Sequence, residues 1–441
     1  MTRPTNKNPG LNASRRDLLK LMGVASALPL LGACSSLGGT ANKNLSARVV
    51  VVGGGFGGAT AAKYLKRSAP DLQVTLIEPN KVFYTCPFSN LVLAGMRTMD
   101  SIGHNYDELR ELGVQVIHTT AEDVDPVAKV VSLGDGGKVR YEKLLLSPGI
   151  DIRWDALEGY DQAAAEKVPH AWKAGDQTRL LRRQIEAMDD GGVFVLSAPA
   201  NPFRCPPGPY ERASLVAHYL SQHKPRSKVL ILDAKDNFSK QGLFMQGWKD
   251  VHGDRIEWVG LSGDGKVVRV DADKREVATE FGTIHKASVL NVVPPQKAGY
   301  IADRAGVTNE SGWVPVNPVT FESTQVKDVY VVGDATIAAP MPKSGFAANA
   351  QGKVAAAAII ASLDGQPPLE PSWANTCYSL ISPEYGISVA AVYRIQEGNI
   401  KETSGGVSAS DASATVRQLE ADYAVGWYRA IAQDTWGTRR G

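Results

Sequence analysis

The feature that most constrains the fold is a glycine-rich loop that joins an apolar run to a helical stretch near the N-terminus. Residues 47–52 form a β-branched run that ends at the sequence Gly-Gly-Gly-Phe-Gly-Gly. A helical stretch follows at 59–68, and a second strand at 73–77 closes on Glu78. This order of strand, glycine loop, helix, strand and acid is typical of a dinucleotide-binding β-α-β unit. The sequence therefore predicts an α/β fold that begins with this unit.

Each glycine of the loop has a separate predicted role. Gly53 allows the tight turn, and Gly55 lets the backbone approach a pyrophosphate. Gly58 lets the helix pack close to the strand, while the N-terminus of the helix offers N–H groups and the positive end of its dipole to the phosphates. Glu78 is expected to accept hydrogen bonds from ribose hydroxyls.

Two later segments favour FAD as the dinucleotide. The run 144–149 ends in Ser-Pro-Gly and returns toward the first unit, and the run 329–334 is a strand that ends in Gly-Asp. In flavoproteins with two dinucleotide-binding domains, such a strand brings an aspartate to the ribityl chain of the flavin. An isolated Gly-Asp pair is by default a turn. Together with the glycine loop, however, it predicts FAD with Asp334 as a ligand.

A second α/β region follows the first. Residues 193–197 and 228–233 are expected to be buried parallel strands, with a helix at 210–222 between them. Where a second glycine fingerprint would stand, the loop 198–208 contains prolines and Cys205 instead. Prolines lack the N–H donors that a pyrophosphate needs. We therefore expect this domain to bind no NAD.

A chain of 441 residues is too long for one core, so several domains are expected. The predicted fold class is α/β, a two-dinucleotide-binding-domain flavoprotein of the glutathione reductase type with a C-terminal α+β interface domain. The predicted segments are an export signal at 1–34, the first part of the FAD domain at 45–156, the degenerate NAD-like domain at 157–294, the second part of the FAD domain at 295–370, and the C-terminal domain at 371–441.

The N-terminal segment is typical of twin-arginine export. Residues 14–20 contain a pair of arginines, and an apolar stretch that ends in small residues follows. This pathway carries folded cargo, which suits a protein that acquires its flavin in the cytoplasm, and it predicts a periplasmic location. The run 31–34 also resembles a lipoprotein cleavage site, so both lipidation and removal of Cys34 stay open.

The charge and composition of the chain limit the classes of partner and ligand that are expected. A net charge of +2 gives no support for a nucleic-acid partner. The longest apolar stretch, 18–31, is broken by Lys20 and Pro29, so no transmembrane segment is predicted. The seven histidines are scattered without ligand spacing, so no metal site is predicted.

The four cysteines lie in unlike surroundings. With Cys34 in the export signal, the odd number left in an exported protein needs an explanation. Cys86 follows the first β-α-β unit, Cys205 lies in the proline-rich loop, and Cys377 lies in the C-terminal segment. A structural disulfide and a buried free thiol are both open on these residues alone. Two roles stay open for Glu211: catalysis, and a favourable negative charge in the first turn of a helix.

Several motifs together resemble one family. These are GGGFGGATAAKYLK, PHAWKAG, PFRCPPGPYERAS, MPKSGFAANAQGKVAAAA, NTCYS and YGISVAA. They resemble the flavoprotein subunit of flavocytochrome c sulfide dehydrogenase and the related flavoproteins of bacterial thiosulfate-oxidation systems. The resemblance runs from Val49 to Trp436. Pro87 departs from some sulfide dehydrogenases, which carry an aromatic residue there.

The resemblance implies roles for individual residues. Cys86 would carry FAD through a thioether, and Cys205 with Cys377 would form a redox-active disulfide beside the flavin. Glu211 would be a base, and Trp427 would lie near the active site. Two roles stay open for Lys343: it offsets negative charge on a reduced flavin, or it is a solvated surface lysine.

The resemblance also implies an activity. The expected reaction is oxidation of sulfide, a small inorganic sulfur substrate, to sulfur or polysulfide. The chain has no Cys-x-x-Cys-His haem motif, so haem and electron acceptance are expected on a separate c-type cytochrome subunit. Three alternatives stay open: a sulfide:quinone oxidoreductase, a pyridine-nucleotide disulfide reductase, and an accessory flavoprotein that acts on a sulfur-carrier complex.

Overall fold

A computed structural model describes residues 48–437 of the chain. The predicted export signal at 1–34, including Cys34, lies outside the described residues. The described part belongs to one packed unit, and the limits of the five segments proposed from sequence stay predictions.

The described residues contain 24 strands. They are β1 Arg48–Val52, β2 Gln73–Ile77, β3 Phe83–Tyr84, β4 Gly103–His104, β5 Gln115–Ile117, β6 Ala121–Asp125, β7 Val130–Leu133, β8 Lys138–Arg140, β9 Lys143–Leu146, β10 Ile150–Ile152, β11 Val193–Ala198, β12 Lys228–Asp233, β13 Ile256–Val259, β14 Val267–Asp271, β15 Glu276–Thr279, β16 Ile284–Lys286, β17 Val289–Val292, β18 Gln296–Ala298, β19 Val314–Pro315, β20 Val329–Val331, β21 Thr336–Ile337, β22 Ser372–Ser382, β23 Tyr385–Gln396 and β24 Asn399–Val407.

The same residues contain the α-helices α1 Phe56–Ser68, α2 Ser89–Leu93, α3 Asp107–Glu111, α4 Gln162–Ala165, α5 Asp176–Ala187, α6 Gly208–His223, α7 Gln241–His252, α8 Tyr300–Arg304, α9 Gly345–Leu363 and α10 Ala414–Thr435.

The first sheet is parallel and has β1 at its centre. Its order is β20-β9-β1-β2-β5. The run of valines in β1 is buried, as expected for a strand covered on both faces. Strand β20 comes from a distant part of the chain and pairs with β9 beside β1. The predicted return of the chain to the first unit is therefore confirmed, and the Gly-Asp that follows β20 lies at the same edge as the glycine loop.

Helix α1 packs very closely on its surroundings because it is rich in small residues. A Cβ on Gly58 would lie 1.9 Å from the carbonyl oxygen of Gly53. A Cβ on Gly352 of α9 would lie 2.5 Å from the carbonyl oxygen of Gly57. The predicted role of Gly58, close packing between helix and strand, agrees with this geometry.

The second sheet is also parallel, with the order β13-β12-β11-β17. Strand β11 leads through α6 to β12, and the two strands pair directly from Val193 with Lys228 to Ala198 with Asp233. This is the strand–helix–strand order predicted from the sequence. The proline-rich loop lies between β11 and α6, at the carboxyl end of β11.

The C-terminal part is an antiparallel sheet of three strands, β22-β23-β24, and the long helix α10. Cys377 lies on β22 and pairs with Val389 of β23. Strand β24 is exposed along most of its length. Two parallel sheets followed by an antiparallel sheet and helix match the predicted α/β fold with its α+β ending.

Within the described residues, α9 is long and apolar enough to cross a membrane. Half of its apolar window is buried inside the protein, and its Gly352 packs against α1. The sequence pattern predicts an apolar run only at 18–31. Helix α9 does not stand out in the sequence, because glycine and polar residues interrupt its apolar residues.

The contact of Gly58 yields a stability prediction. Because a Cβ at Gly58 would overlap the carbonyl oxygen of Gly53, we expect Gly58→Ala to lower the free energy of unfolding by about 1–3 kcal/mol or more. Gly426 is the matched control, since it lies in α10 and a Cβ there meets nothing within 4 Å. Gly426→Ala should raise stability by about 0.5–1 kcal/mol.

Urea unfolding of the two purified variants measures the difference. Equal stability of Gly58→Ala and wild type would contradict the packing described for α1.

Candidate active site

A cavity of about 610 Å³ lies where the glycine loop, the carboxyl ends of both parallel sheets and the C-terminal segment meet. Eight of the residues predicted from the sequence line it: Gly53, Gly55, Glu78, Cys86, Cys205, Glu211, Asp334 and Cys377. Gly58 and Lys343 are not part of its wall. The structure thus brings all three described cysteines and the dinucleotide loop to one cavity.

The glycine loop has the conformation that its sequence predicts. Gly53 has φ +97°, and a Cβ on it would lie 2.3 Å from the carbonyl oxygen of Ser147, so only glycine fits there. The N-terminus of α1 faces the cavity through Gly55 and Phe56. Its unpaired N–H groups are therefore available to a phosphate.

The Glu78 carboxylate is held in place by the loop beside it. Its Oε2 accepts a hydrogen bond from the backbone N–H of Gly54 at 2.9 Å. Its Oε1 accepts from the backbone N–H and the Nδ2 of Asn80, at 2.9 and 2.8 Å. The carboxylate is buried at the end of β2 and lines the cavity, where a ribose can share its lone pairs.

Asp334 has one oxygen paired and one open. Oδ2 accepts a hydrogen bond from Nε of Arg204 at 2.7 Å, and the two side chains form a largely buried ion pair. Oδ1 is buried and has no hydrogen-bond partner among the described residues. A buried acceptor without a donor is costly. A ligand hydroxyl group in this cavity would remove that cost.

These observations fit FAD. The glycine loop and the helix N-terminus suit its pyrophosphate, Glu78 suits a ribose, and the open Oδ1 of Asp334 suits a hydroxyl of the ribityl chain. Cys86, Cys205 and Cys377 also belong to the wall of this cavity.

Cys86 follows the short strand β3 and is half-buried. Its Sγ lies 3.5 Å from the carbonyl oxygen of Trp172. Burial raises the pKa of the thiol, and the charges of Arg204 and Arg212 oppose that rise. The neighbouring Thr85 hydroxyl is 2.8 Å from the hydroxyl of Tyr428 on α10, which ties this turn to the C-terminal helix.

Cys205 lies in a strained backbone conformation. Its φ is +57°, in the left-handed region that costs a non-glycine residue about 1–2 kcal/mol. The conformation is fixed on both sides, because its N–H donates to the carbonyl of Lys343 and its own carbonyl accepts from the N–H of Gly208, both at 2.8 Å. Burial raises the pKa of its thiol well above the ordinary value, and the nearby charges of Cys86 and Glu211 add to the rise.

Cys377 reaches the cavity from β22. Its Sγ lies 3.6 Å from Nδ2 of Asn375, and Oδ1 of that amide accepts a hydrogen bond from Ser344 at 2.7 Å. Burial raises the pKa of the Cys377 thiol, while the charge of Lys240 lowers it. All three cysteines of the described part are free thiols in this structure, so the Cys205–Cys377 disulfide stays a prediction.

Glu211 lies in the first turn of α6, but its carboxylate contacts other elements. Oε2 accepts from Nδ2 of Asn90 at 2.8 Å, and Oε1 accepts from the backbone N–H of Leu380 on β22 at 3.0 Å. Burial raises the pKa of Glu211, and these two hydrogen bonds oppose the rise. The carboxylate therefore joins α6 to the strand that carries Cys377, which a simple helix-capping role does not explain.

Lys343 contacts the turn that follows β20. Its ammonium group donates to the carbonyl oxygens of Asp334 and Thr336, at 2.8 and 2.7 Å, and lies 3.7 Å from the ring centre of Trp313. Burial lowers its pKa to about 8. Lys343 is half-buried and is not part of the cavity wall, and its effect on a reduced flavin stays a prediction. It positions the turn that presents Asp334.

Trp427 lies at the cavity, and His170 is buried inside the protein. Trp427 lines the cavity and packs parallel to Phe346 at a centroid distance of 6.3 Å. His170 accepts a hydrogen bond from the backbone N–H of Trp172 through Nδ1, and burial lowers its pKa to about 4, which fits a structural role.

Three buried cations at the site were missed by the sequence analysis: Arg204, Arg212 and Lys240. Arg212 is 1% exposed and donates to Asn90, Asn291 and the carbonyls of the turn before Trp172. Burial lowers its pKa to about 10. Arg204 and Arg212 both lie in the sequence motif that contains Cys205. Their closeness to this cysteine in the sequence could have identified them as site residues.

No sequence motif identified Lys240 as a site residue. It has φ +60°, is 9% exposed, and donates to the hydroxyl of Ser379 at 2.9 Å. Burial lowers its pKa to about 8, while the charges of Cys377 and Glu211 raise it. Lys240 precedes α7 directly, and only the folded chain brings it to the cysteines.

Comparison with known proteins identifies the relatives. A family model described as the central part of the sulfide dehydrogenase (flavocytochrome c) flavoprotein chain matches 178–294, and one described as flavocytochrome c sulphide dehydrogenase, flavin-binding, matches 369–436. A pyridine nucleotide-disulphide oxidoreductase model matches 47–187.

Two sequences illustrate the range of similarity. A sulfide dehydrogenase (flavocytochrome c) flavoprotein chain of Chlorobaculum thiosulfatiphilum is 67% identical over 45 residues, which are 10% of this chain and 94% of that sequence. A mitochondrial sulfide:quinone oxidoreductase of Mus musculus is 23% identical over 340 residues, 73% of this chain and 72% of its own length.

The solved structure of a sulfide:quinone oxidoreductase from Aquifex aeolicus has a similar fold. It superposes with a TM-score of 0.71 at 18% identity and covers 89% of this chain and 93% of its own. The predicted two-dinucleotide-binding fold is confirmed, and the chain belongs to the family of flavocytochrome c sulfide dehydrogenase flavoprotein chains.

Proposed function

We propose that this protein oxidises sulfide through a Cys205–Cys377 redox disulfide and an FAD that is bound covalently to Cys86. The observation that carries the proposal is that all three cysteines line one cavity with the dinucleotide loop and the open oxygen of Asp334. A thiol pair alone would be a structural disulfide. Next to a flavin site it becomes a relay for electrons.

The sulfur chemistry is thiol–disulfide exchange. Hydrosulfide attacks one sulfur of the disulfide, the S–S electron pair leaves on the other sulfur as a thiolate, and a persulfide forms. A second hydrosulfide attacks the outer persulfide sulfur and releases disulfane, leaving both cysteines reduced. When bound, FAD accepts the two electrons that restore the disulfide and passes them on singly.

The residues around the cysteines supply charge and proton control. Lys240 lowers the pKa of Cys377, so it stabilises the thiolate that exchange needs. Burial holds the pKa of Glu211 above its ordinary value, which suits a carboxylate that accepts a proton from hydrogen sulfide. Arg204 donates a hydrogen bond to Asp334, and its positive charge also lowers the pKa of Cys86.

The electron acceptor and the location follow from the rest of the chain. The sequence has no Cys-x-x-Cys-His motif, so a c-type cytochrome subunit is proposed as the acceptor. The twin-arginine pattern predicted at 1–34 supports the proposal of a periplasmic location, with lipidation of Cys34 still open. A covalent link would keep FAD in a compartment where it cannot be replaced.

Quinone is the second candidate acceptor. It is favoured by the similarity to sulfide:quinone oxidoreductases over 73% of the chain. The predicted export signal favours the cytochrome.

Anaerobic titration tests the proposal. Sulfide should bleach the flavin of the purified protein, and a c-type cytochrome should restore its colour faster than a soluble quinone does. A flavin that ignores sulfide would contradict the activity, while faster reoxidation by quinone would replace the acceptor.

The covalent link predicts a clear phenotype for Cys86→Ser. Nearly all flavin should leave this variant in acid precipitation, because the serine hydroxyl cannot form the thioether, whereas wild type should keep its flavin in the pellet. Absorbance of pellet and supernatant measures the split. Cys205→Ser is the control: it should keep the flavin and lose reduction by sulfide. Flavin retained by Cys86→Ser would disprove the assignment.

Lys240 predicts a shift in the reactivity of Cys377. Because the Lys240 charge lowers the pKa of Cys377, Lys240→Met should raise that pKa, and iodoacetamide should label Cys377 severalfold more slowly at pH 8. The labelling profile should move to higher pH, and Lys240→Arg should restore part of the rate.

Peptide mass spectrometry of the reduced protein follows the labelling across pH. Lys249→Met is the control, since Lys249 lies exposed on α7, the helix that begins directly after Lys240. An unchanged profile in Lys240→Met would remove the proposed role of this ammonium group.

A further inference from the structure

The C-terminal end of α10 (residues 428–437) contacts the dinucleotide loop, although none of these residues is part of the cavity wall. Nε1 of Trp436 donates a hydrogen bond to the carbonyl oxygen of Gly54 at 3.1 Å. The buried indole also packs on Phe56 and Phe83, at centroid distances of 4.9 and 5.3 Å. Phe56 begins α1, and Phe83 lies on β3, which leads to Cys86. One side chain therefore contacts both the loop and the strand before this cysteine.

Lys63 of α1 fixes the same end of α10. Its buried ammonium group donates to the carbonyl oxygens of Gln433 and Asp434, at 2.9 and 2.7 Å, and to that of Gly437. The last carbonyl groups of a helix have no partners within the helix, and a lysine can satisfy them. The helix that offers its N-terminus to a phosphate therefore also holds the C-terminal end of α10.

Tyr428 of α10 contacts the turn of Cys86. Its ring stacks on Phe88 with a centroid distance of 4.4 Å and an angle of 20° between the planes. Phe88 has φ +69°, a left-handed conformation that is strained for a residue other than glycine. Such a conformation persists only where its surroundings hold it. The stack on Tyr428 is one of the contacts that hold the turn after Cys86.

The hydroxyl of Tyr428 belongs to a chain of hydrogen bonds with a fixed direction. The Thr85 hydroxyl donates to the carbonyl oxygen of Pro87 at 2.8 Å, and it lies 2.8 Å from the Tyr428 hydroxyl. Each hydroxyl has a single hydrogen, so Tyr428 donates to Thr85. It then accepts from His104, whose Nε2 is 3.1 Å away. The chain therefore runs from the imidazole N–H to the backbone beside Cys86.

His104 joins these two sets of contacts. Its ring lies parallel to the indole of Trp436, with a centroid distance of 4.6 Å and 3° between the planes. In the function proposed above, FAD is held at two places, with its pyrophosphate on the glycine loop and its flavin on Cys86. The end of one helix connects both places through direct contacts.

We propose that the C-terminal end of α10 is a positioning element for the cofactor. Trp436 holds the glycine loop, and Tyr428 holds the turn that presents the sulfur of Cys86. The proposal rests on the function proposed above and adds two positioning residues to it. Because the cofactor site is complete only when this end of α10 is in place, both the affinity for FAD and the formation of the bond to Cys86 depend on it.

The bond to Cys86 balances without a further reactant. Its Sγ bonds a methyl carbon of the flavin ring, and the S–H bond and one C–H bond break. Two protons and two electrons remain on the ring, which is left reduced until the one-electron acceptor proposed above reoxidises it. The part of the turn is to hold Sγ at the reacting carbon, since a sulfur that is free to move reacts more slowly.

Tyr428→Phe tests the turn of Cys86. The new ring can keep the stack on Phe88 but cannot donate to Thr85. Cells starved of riboflavin are supplied with it, and the total and the acid-stable flavin of the purified protein are followed over time. The variant should bind flavin but form acid-stable flavin roughly two- to tenfold more slowly than wild type, the range for loss of one neutral hydrogen bond. Tyr423→Phe, at an exposed position of α10, should keep the wild-type rate.

Thr85→Val removes the other end of the same hydrogen bond. It should also slow attachment. The double variant Thr85→Val with Tyr428→Phe should be no slower than the slower single variant, because both changes break one chain. Slowing that adds up in the double variant would contradict this chain. Circular dichroism checks that each variant is folded.

Trp436→Phe tests the glycine loop. It is made together with Cys86→Ser, so that FAD is held only by noncovalent contacts, and equilibrium dialysis gives the Kd for FAD. Loss of the N–H that binds the Gly54 carbonyl should raise this Kd roughly two- to tenfold. Trp373→Phe is the matched control. Both indoles are 3% exposed, but Nε1 of Trp373 has no hydrogen-bond partner among the described residues, so its loss should leave the Kd unchanged.

Either of two results would overturn the proposal. One is acid-stable flavin that forms in Tyr428→Phe at the wild-type rate. The other is a Kd that Trp436→Phe raises no more than Trp373→Phe does. If sulfide still bleaches the wild-type flavin, the proposed function survives both. Wild-type flavin that acid removes completely would instead refute the covalent link, and the Kd comparison would still decide the role of Trp436.

Discussion

The ion pair between Arg204 and Asp334 is the interaction on which the site depends. Arg204 belongs to the loop after β11, and Asp334 to the turn after β20, so the pair connects the second parallel sheet to the first. Both side chains are largely buried. Loss of either partner would leave a buried charge uncompensated, at a cost of about 3–5 kcal/mol. Because Cys205 follows Arg204 directly, the same contact that orients an oxygen toward FAD also places the reactive thiol.

Around this pair the site concentrates buried charge of both signs. Arg204, Arg212 and Lys240 lie near the cysteines, with Asp334 and Glu211 as the carboxylates. Burial alone raises the pKa of every thiol here, which would make the cysteines poor nucleophiles. The cations offset that rise for Cys86 and Cys377. The proposed cycle between a disulfide and thiolates would need such a balance, since the net charge of the site would change during each turnover.

The parts predicted correctly from sequence are those that local patterns determine. The glycine loop requires Gly53 at a positive φ, and the valine run of β1 is explained by burial on both faces. Neighbours brought together by folding were not predictable. Lys240 reaches the cysteines from the start of α7. Lys343 donates to backbone carbonyls, although the motif that contains it borders the flavin region. The apolar character of α9 was missed because small residues, which packing against α1 demands, interrupt its hydrophobic pattern.

The position of the Cys205 sulfur depends on one backbone feature. Cys205 stays in the left-handed region because its N–H and carbonyl are both held. Its Sγ consequently lies so close to the start of α6 that a Cβ on Gly208 would be 3.0 Å from it. The positive end of a helix dipole favours a thiolate at that position. A larger residue at Gly208 would push the sulfur away from the helix. The strained backbone of Cys205 and the absence of a side chain on Gly208 together hold the cysteine sulfur in the wall of the cavity, at the start of α6.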